Sequence, residues 1–352
     1  MNILIIGPSI ERSKGGTATV IYEHLRNPII TGANKFKYLE SHVDSNFAVK
    51  AFYTIRCLVH IFLHHRIYSI IHLHANSDIS FYRKSVLLRF SKWFNKKTII
   101  HIHGHDFDSF YKRNTPFLKK YIKGSLAKSN KILVLSEYWK RFFGQEFADL
   151  PSEILYNGID VSSYASCIKE PTTFTKYLFM GRLGERKGVY DLIKAIDILV
   201  NSYNRKELKF YFAGDGDLDN VKRIVISSNL ADNVEVFGWL NNIEKRELLK
   251  TVDAIVLPSY EENLPMALIE GMACGKIIIS THAGGIPDLV EHGFNGYLHE
   301  AGNIEELIKC ILFVNEHPAT MIPISRNNIN TIRDRFNLDT IAVRLNTIYN
   351  SV

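Results

Sequence analysis

The chain has 352 residues, 46% of them hydrophobic and 22% charged, with a formal net charge of +7. That length exceeds what one hydrophobic core ordinarily supports, so two domains are expected. The four cysteines, Cys57, Cys167, Cys274 and Cys310, are scattered without CxxC or metal-ligand spacing, which excludes a disulfide framework and a zinc site and suits a reducing compartment.

The chain opens on the apolar run Ile3-Leu4-Ile5-Ile6. It is too short for a signal segment and reads as a first strand. Strand-like runs follow at 36–42, 69–74, 98–103, 131–135 and 153–156, then at 177–180, 209–213, 234–237, 254–257, 276–280 and 297–299, with helical patterns between them. Strict alternation of this kind predicts parallel sheets covered on both faces, with ligand sites at the carboxyl ends of the strands. The expected fold class is α/β, with two Rossmann-like doubly wound domains facing a cleft. The first spans 1–165, with a C-terminal helix 338–352 that can pack back on it. The second spans 172–335, and the irregular stretch 161–174 with Pro171 is the expected linker. The most apolar stretch, 51–71, is broken by Arg56, His60, His64, His65 and Arg66, so no membrane-spanning segment is expected.

Charge is uneven. Residues 1–170 hold 24 Lys and Arg against 13 Asp and Glu, whereas the rest of the chain is net acidic. A basic half facing an anionic partner is one reading, and a solvated basic surface is the other. In 82–97 the residues Val86, Leu87, Phe90, Trp93 and Phe94 can share a helical stripe ringed by Arg83, Arg89, Lys92, Lys96 and Lys97. That pattern suits an interfacial helix on anionic lipid, and equally a core-facing amphipathic helix. Segment 111–123 adds Lys112, Arg113, Lys119, Lys120 and Lys123. Together they give an expectation of peripheral contact at the inner face of the cytoplasmic membrane.

The most informative segment is 257–275. It leaves a strand, carries Glu262, Asn263 and Leu264, and enters a helix at Pro265 with Glu270 eight residues after Glu262. Proline suits the first helical position. The amides of Met266, Ala267 and Leu268 at a helix start form a natural diphosphate site. Glu262 then reaches the sugar end of a donor and Glu270 a ribose diol, although solvent-facing glutamates would show the same spacing. Asp106-Phe107-Asp108 and Asp215-Gly216-Asp217 match D-x-D but sit in turns, and the second lacks the glycine and glutamate of a calcium loop. No metal is expected.

Segment 257–275 resembles the E-x7-E signature of retaining glycosyltransferases of family 4 (group 1), which have the GT-B fold. Gly181-Arg182-Leu183 followed by Lys187-Gly188 resembles that family's G-R-L-x-x-x-K-G motif. Asn157-Gly158-Ile159-Asp160, Gly214-Asp215-Gly216 and Gly284-Gly285-Ile286-Pro287-Asp288 resemble three further turns of the family. Gly15-Gly16 resembles its paired-glycine loop, and His103 falls where the family often has a histidine near the reacting sugar. Asn263 replaces a glycine that many members have, a change that bears on which donor sugar fits.

The resemblance implies a metal-independent hexosyltransferase with no cofactor. It would use a UDP- or GDP-sugar donor and a glycan or lipid-linked acceptor in bacterial surface polysaccharide biosynthesis (O-antigen, capsule or lipopolysaccharide). Glu262, His103, Arg182 and Lys187 are its implied catalytic residues. Gly15, Gly16, Gly181, Arg182, Lys187, Gly238, Glu262, Asn263, Leu264, Met266, Ala267, Leu268 and Glu270 are the implied donor-binding residues. Nucleic acid is not an expected partner. A GT-B sugar-nucleotide epimerase and a non-catalytic sugar-nucleotide or nucleic-acid binder are the alternative readings.

Overall fold

The computed structural model describes residues 1–13, 15–43, 45–168 and 173–352. Lys14 of the glycine loop and Pro171 of the expected linker lie outside the described residues. The chain forms two units, Met1–Ile159 with Asn337–Val352, and Asp160–Phe336.

The first unit is built on β1 (Asn2–Pro8), β2 (Lys35–His42), β3 (Ile70–Ala75), β4 (Lys97–Ile102), β5 (Lys131–Val134) and β6 (Ser152–Ile154). They form one sheet in the order β2-β1-β3-β4-β5-β6, with parallel pairing throughout. Side chains alternate faces with period two. Leu4, Ile6, Ile71, Leu73, Ile100 and Ile102 enter one core, whereas Ile3, Ile5, Ile70 and Ile99 enter another with Ile341, Leu345, Ile348 and Tyr349. The C-terminal helix Leu338–Ser351 therefore closes one face of the first sheet. Its start is tied by the amide of Leu338 donating to the Ile159 carbonyl at 2.9 Å.

The second unit holds β7 (Lys176–Met180), β8 (Lys209–Ala213), β9 (Val234–Phe237), β10 (Ala254–Leu257), β11 (Ile277–Thr281) and β12 (Tyr297–His299). The order is β12-β11-β10-β7-β8-β9. Strands β10 and β11 are buried along their whole length, as expected for central parallel strands covered by helices. From β7 the chain builds outward through β8 and β9, then restarts on the other side with β10. The order thus reverses between β7 and β10.

Two expectations change. Residues 160–165, placed above with the first domain, belong to the second unit. There Val161–Cys167 forms a short 3-10 helix instead of a loose linker. Its start is held by Asp160, which accepts from the Ser162 amide at 3.0 Å and the Ser163 hydroxyl at 2.7 Å.

The basic helix Asp78–Trp93 is mostly committed inward. Leu87 and Leu88 are in the core and Lys84 is fully buried. Arg89 donates to Ser125 Oγ, Lys92 to Asn130 Oδ1 and Lys96 to the Tyr68 carbonyl. In 111–123, Arg113 pairs with Asp78, and Lys112 and Lys119 lie over the rings of Phe142 and Tyr111. These side chains hold the inner faces of the two segments against the unit, while Val86, Trp93, Lys97, Phe117, Lys120 and Lys123 remain exposed. By contrast Phe47–Ile67 is, by length and composition, apolar enough to cross a bilayer, because one lysine, two arginines and three histidines still leave its mean hydropathy high.

Candidate active site

The reversal between β7 and β10 marks the place where doubly wound sheets bind ligands, beyond the carboxyl ends of the diverging strands. Two loops leave the sheet there. The first follows β7 and runs through Gly181, Arg182 and the short turn Glu185–Lys187 into the helix Val189–Asp197. The second follows β10 and runs through Ser259 and Glu262 into the helix Met266–Ala273.

Hydrogen bonds lock these loops together. The Tyr260 amide donates to the Arg186 carbonyl at 2.9 Å, and Arg186 Nη1 donates to the Glu261 carbonyl at 3.0 Å. Gly188 sits at φ 69°, and a Cβ there would lie 2.0 Å from the Pro258 carbonyl oxygen. Only glycine permits both that angle and that approach. Gly284, at φ 54°, plays the same part on the other side, since its Cβ would lie 1.8 Å from the Glu262 carbonyl oxygen. The glycines of the K-G and G-G turns thus fix where the flanking side chains stand.

Between the loops, Lys187 Nζ donates to Glu262 Oε1. Their side chains are 15% and 6% exposed, so the pair is largely desolvated. Ser259 Oγ donates to the same Oε1 at 2.9 Å. Burial pulls the Lys187 ammonium below its ordinary pKa, and the nearby Glu262 carboxylate opposes that shift. Glu262 Oε2 has no donor among the described residues. Arg182 is exposed and forms no ion pair among the described residues.

The helix after β10 differs in detail from the sequence reading. Pro265 is its N-cap, with extended backbone, and Met266 is the first helical residue. The Leu268 amide donates back to the Pro265 carbonyl at 3.1 Å. It is therefore not free for a ligand, leaving Met266 and Ala267 without amide acceptors among the described residues. Asn263 and Leu264 are buried in the loop below them. Glu270 is 3% exposed, and its Oε1 accepts from Lys245 Nζ at 2.5 Å. Lys245 thus already holds the carboxylate assigned above to a ribose. Gly238 follows β9, where its carbonyl accepts from the Gly214 amide at 3.1 Å and a Cβ would meet nothing within 4 Å.

In the first unit, Gly15 caps the helix Gly16–Arg26 at φ 136°. His103 follows β4 and is nearly buried, with Nε2 2.8 Å from His74 Nδ1. His72 Nδ1 lies 2.8 Å from the Tyr349 hydroxyl. These imidazoles stack with His101 on the sheet face that the C-terminal helix covers. Burial lowers the pKa of His103 and His72 to about 3 and that of His24 to about 4, and those of His74 and His101 fall well below the free value. All are neutral at physiological pH. The ligating nitrogens of His72, His74 and His101 lie within 4.8 Å of one another. No carboxylate joins them among the described residues.

The acidic turns are satisfied locally. Asp108 accepts from the Ser109 amide and the Tyr138 hydroxyl, and Asp217 accepts from Tyr190 and Asn220.

The structure therefore brings Gly181, Lys187, Glu262, Asn263, Leu264, Met266 and Ala267 to one strand-end region of the second unit. His103, Gly15 and Gly16 belong to the first unit. Sequence reasoning missed Ser259, Arg186 and Lys245. Ser259 stands three residues before Glu262 and was within reach of a motif reading. Lys245 lies on the helix Asn242–Thr251, and nothing in its local sequence points to Glu270.

Residues 167–331 match the family described as glycosyl transferases group 1. An uncharacterised glycosyltransferase of Methanocaldococcus jannaschii is 29% identical over 193 residues, 54% of this chain and 51% of the relative. The UDP-Gal:alpha-D-GlcNAc-diphosphoundecaprenol alpha-1,3-galactosyltransferase of Escherichia coli is 26% identical over 208 residues, 56% of this chain and 53% of the relative. The chain spans about half the length of these curated relatives. Anabaena HepE, solved in complex with UDP-glucose, superposes with a TM-score of 0.78 at 19% identity, covering 100% of both chains. That likeness shows the fold, two doubly wound α/β domains of the GT-B kind. The stretch that matches the glycosyl transferases group 1 family spans the second unit apart from its edges and includes the paired strand-end loops.

Proposed function

We propose that this chain is a retaining glycosyltransferase that moves a sugar from a UDP- or GDP-sugar to a glycan or lipid-linked acceptor, without a metal, in the assembly of a bacterial surface polysaccharide. The observation that carries the reading is the Lys187–Glu262 pair at the reversal between β7 and β10. A HepE complex with UDP-glucose and an Escherichia coli relative acting on a diphosphoundecaprenol-linked sugar support the donor and acceptor classes.

In this reading the donor diphosphate lies against Lys187, Arg182 and the amides of Met266 and Ala267. As the bond from the anomeric carbon to the diphosphate breaks, negative charge grows on the leaving oxygen. Fixed donors in a largely desolvated place stabilise that charge most. The Lys187 ammonium has three protons, so it can keep Glu262 while serving phosphate oxygens. Glu262 holds the sugar through Oε2, with Ser259 fixing the other oxygen. Glu270 meets the ribose diol by sharing its carboxylate with Lys245. The acceptor hydroxyl attacks the face the diphosphate leaves, and its proton passes to the departing diphosphate. The resemblance assigns His103 to the reacting sugar, where a neutral imidazole adds a hydrogen bond without adding charge.

The test is incubation of the purified full chain with UDP- and GDP-sugars and a diphosphoundecaprenol-linked acceptor in EDTA. Acceptor-dependent release of UDP or GDP, with the donor's anomeric configuration kept in the product, is expected. Epimerised donor, or no release with any pair, would contradict the reading.

A further inference from the structure

The helix Phe47–His64 presents two opposed apolar stripes. Tyr53, Cys57 and Ile61 are buried, with Cys57 and Ile61 in the core on the β1–β3 side of the first sheet. On the other side Phe52, Ile55, Val59, Phe62 and Leu63 are 51–64% exposed. At about 100° per residue the two stripes are centred on nearly opposite sides of the helix. An outward stripe of phenylalanine and branched side chains is the reverse of a solvent-facing helix surface, and one of this size marks an interaction site.

The stripe continues onto a neighbouring element. Phe62 meets Phe94 with ring centroids 6.2 Å apart, and Phe94 stacks on His65 at 4.3 Å. Beside them Trp93 is 79% exposed. Arg56, Arg66 and Lys97 are exposed around this surface. Residues 45–105 contain nine Lys and Arg, of which Arg83, Lys84, Arg89, Lys92 and Lys96 are bonded inward, and a single acid, Asp78, which Arg113 already pairs.

We propose that this face docks on an anionic lipid bilayer, with the helix Phe47–His64 lying in the plane of the interface. The charge decides the occupant. A second copy of this basic surface would be repelled, whereas anionic headgroups attract exposed Arg and Lys, and Trp, Phe and Leu enter the acyl boundary. The buried stripe fixes the orientation. Because Cys57 and Ile61 belong to the sheet's core, the helix cannot leave it to span the bilayer, despite a length and composition that would allow it. The inference does not depend on the proposed transfer reaction and is tested without any sugar substrate.

The experiment is flotation of the full chain with vesicles of phosphatidylcholine alone and of phosphatidylcholine mixed with phosphatidylglycerol. Binding to the mixed vesicles, weakened by salt, is expected. Phe62→Ser with Leu63→Ser should lower partitioning by about tenfold or more, and Arg56→Glu with Arg66→Glu should weaken it on mixed vesicles only. These side chains are exposed, so unchanged thermal melting serves as the folding control. Trp93 fluorescence should shift to the blue on binding, and Trp93→Phe should abolish that shift. Absence of binding, or equal binding by the Phe62/Leu63 variant, would overturn the proposal. So would a concentration-dependent dimer that the same variant dissolves.

Discussion

Lys187 and Glu262 stand 75 positions apart in the chain and form an ion pair across the two loops that flank the strand-order reversal. In the proposed function the pair is half of a charge arrangement that the donor diphosphate would complete. Lys187→Ala removes the cation and leaves Glu262 desolvated. The expected result is loss of transfer by roughly 10²–10³-fold, with weaker nucleotide binding in titration calorimetry. Glu262→Gln keeps the volume and an acceptor for Ser259 but removes the charge facing the sugar. It should bind UDP or GDP nearly as wild type while turnover of the nucleotide-sugar collapses.

The glycine contacts behind this pair give a second prediction. Gly284→Ala places a Cβ 1.8 Å from the Glu262 carbonyl oxygen at a positive φ, so the 257–265 loop must move. Activity should fall steeply and thermal stability by more than about 1 kcal/mol. Gly238→Ala meets nothing within 4 Å and should change the melting temperature little. Equal melting temperatures for the two variants would show that the Gly284 contact does not constrain the loop.

Much of this arrangement was legible in the sequence. Short apolar or alternating runs marked the twelve strands of the described residues. Central strands such as β10 and β11 are buried on both faces and carry no polar alternation, whereas the edge strands β2 and β9 alternate with Lys35, Lys37, Glu40 and Glu235. The motif glycines marked the loops, since tight backbone approach admits nothing larger. What could not be read depends on tertiary neighbours. Lys245 reaches Glu270 from a different helix, and Leu268 spends its amide on Pro265. The fate of the basic helix Asp78–Trp93 also hinged on packing. Its period fits a lipid face and a core face equally, and Ser125, Asn130 and Tyr68 show which of its cations turn inward.

The buried histidines make the first unit sensitive to acid. His24 is held at about 4, and His72 and His103 at about 3, all by burial. Each folded value lies below that of free imidazole, so the unfolded chain takes up protons first. Stability is therefore fully present above pH 6.5 and is lost as pH falls from there toward 3. Both ring nitrogens of His101 are buried without a partner among the described residues. His101→Phe should raise the melting temperature at pH 5 more than at pH 8, measured by calorimetry. An equal change at both pH values would contradict the neutral cluster.

Lys84 shows the same physics with a different window. It is fully buried, donates to Ser41 Oγ at 2.6 Å, and burial brings its pKa to about 7. Between pH 7 and the free lysine value the unfolded chain holds a proton that the folded chain lacks, so stability rises with pH across that range. Lys84→Met removes the burial cost below pH 7, at ~1.4 kcal/mol per pKa unit. The variant should be more stable than the parent at pH 6 and lose that advantage near pH 10. Denaturant titration at the two pH values checks it.

The proposed function needs a nucleoside-diphosphate site built on Lys187 and Glu262. Thermal shift of the full chain with UDP, GDP and ADP in EDTA, run beside Lys187→Ala, tests it most directly. A nucleotide-selective rise in melting temperature that EDTA leaves intact and Lys187→Ala removes is the predicted result. No rise with any nucleotide, or the same rise in both proteins, would contradict it.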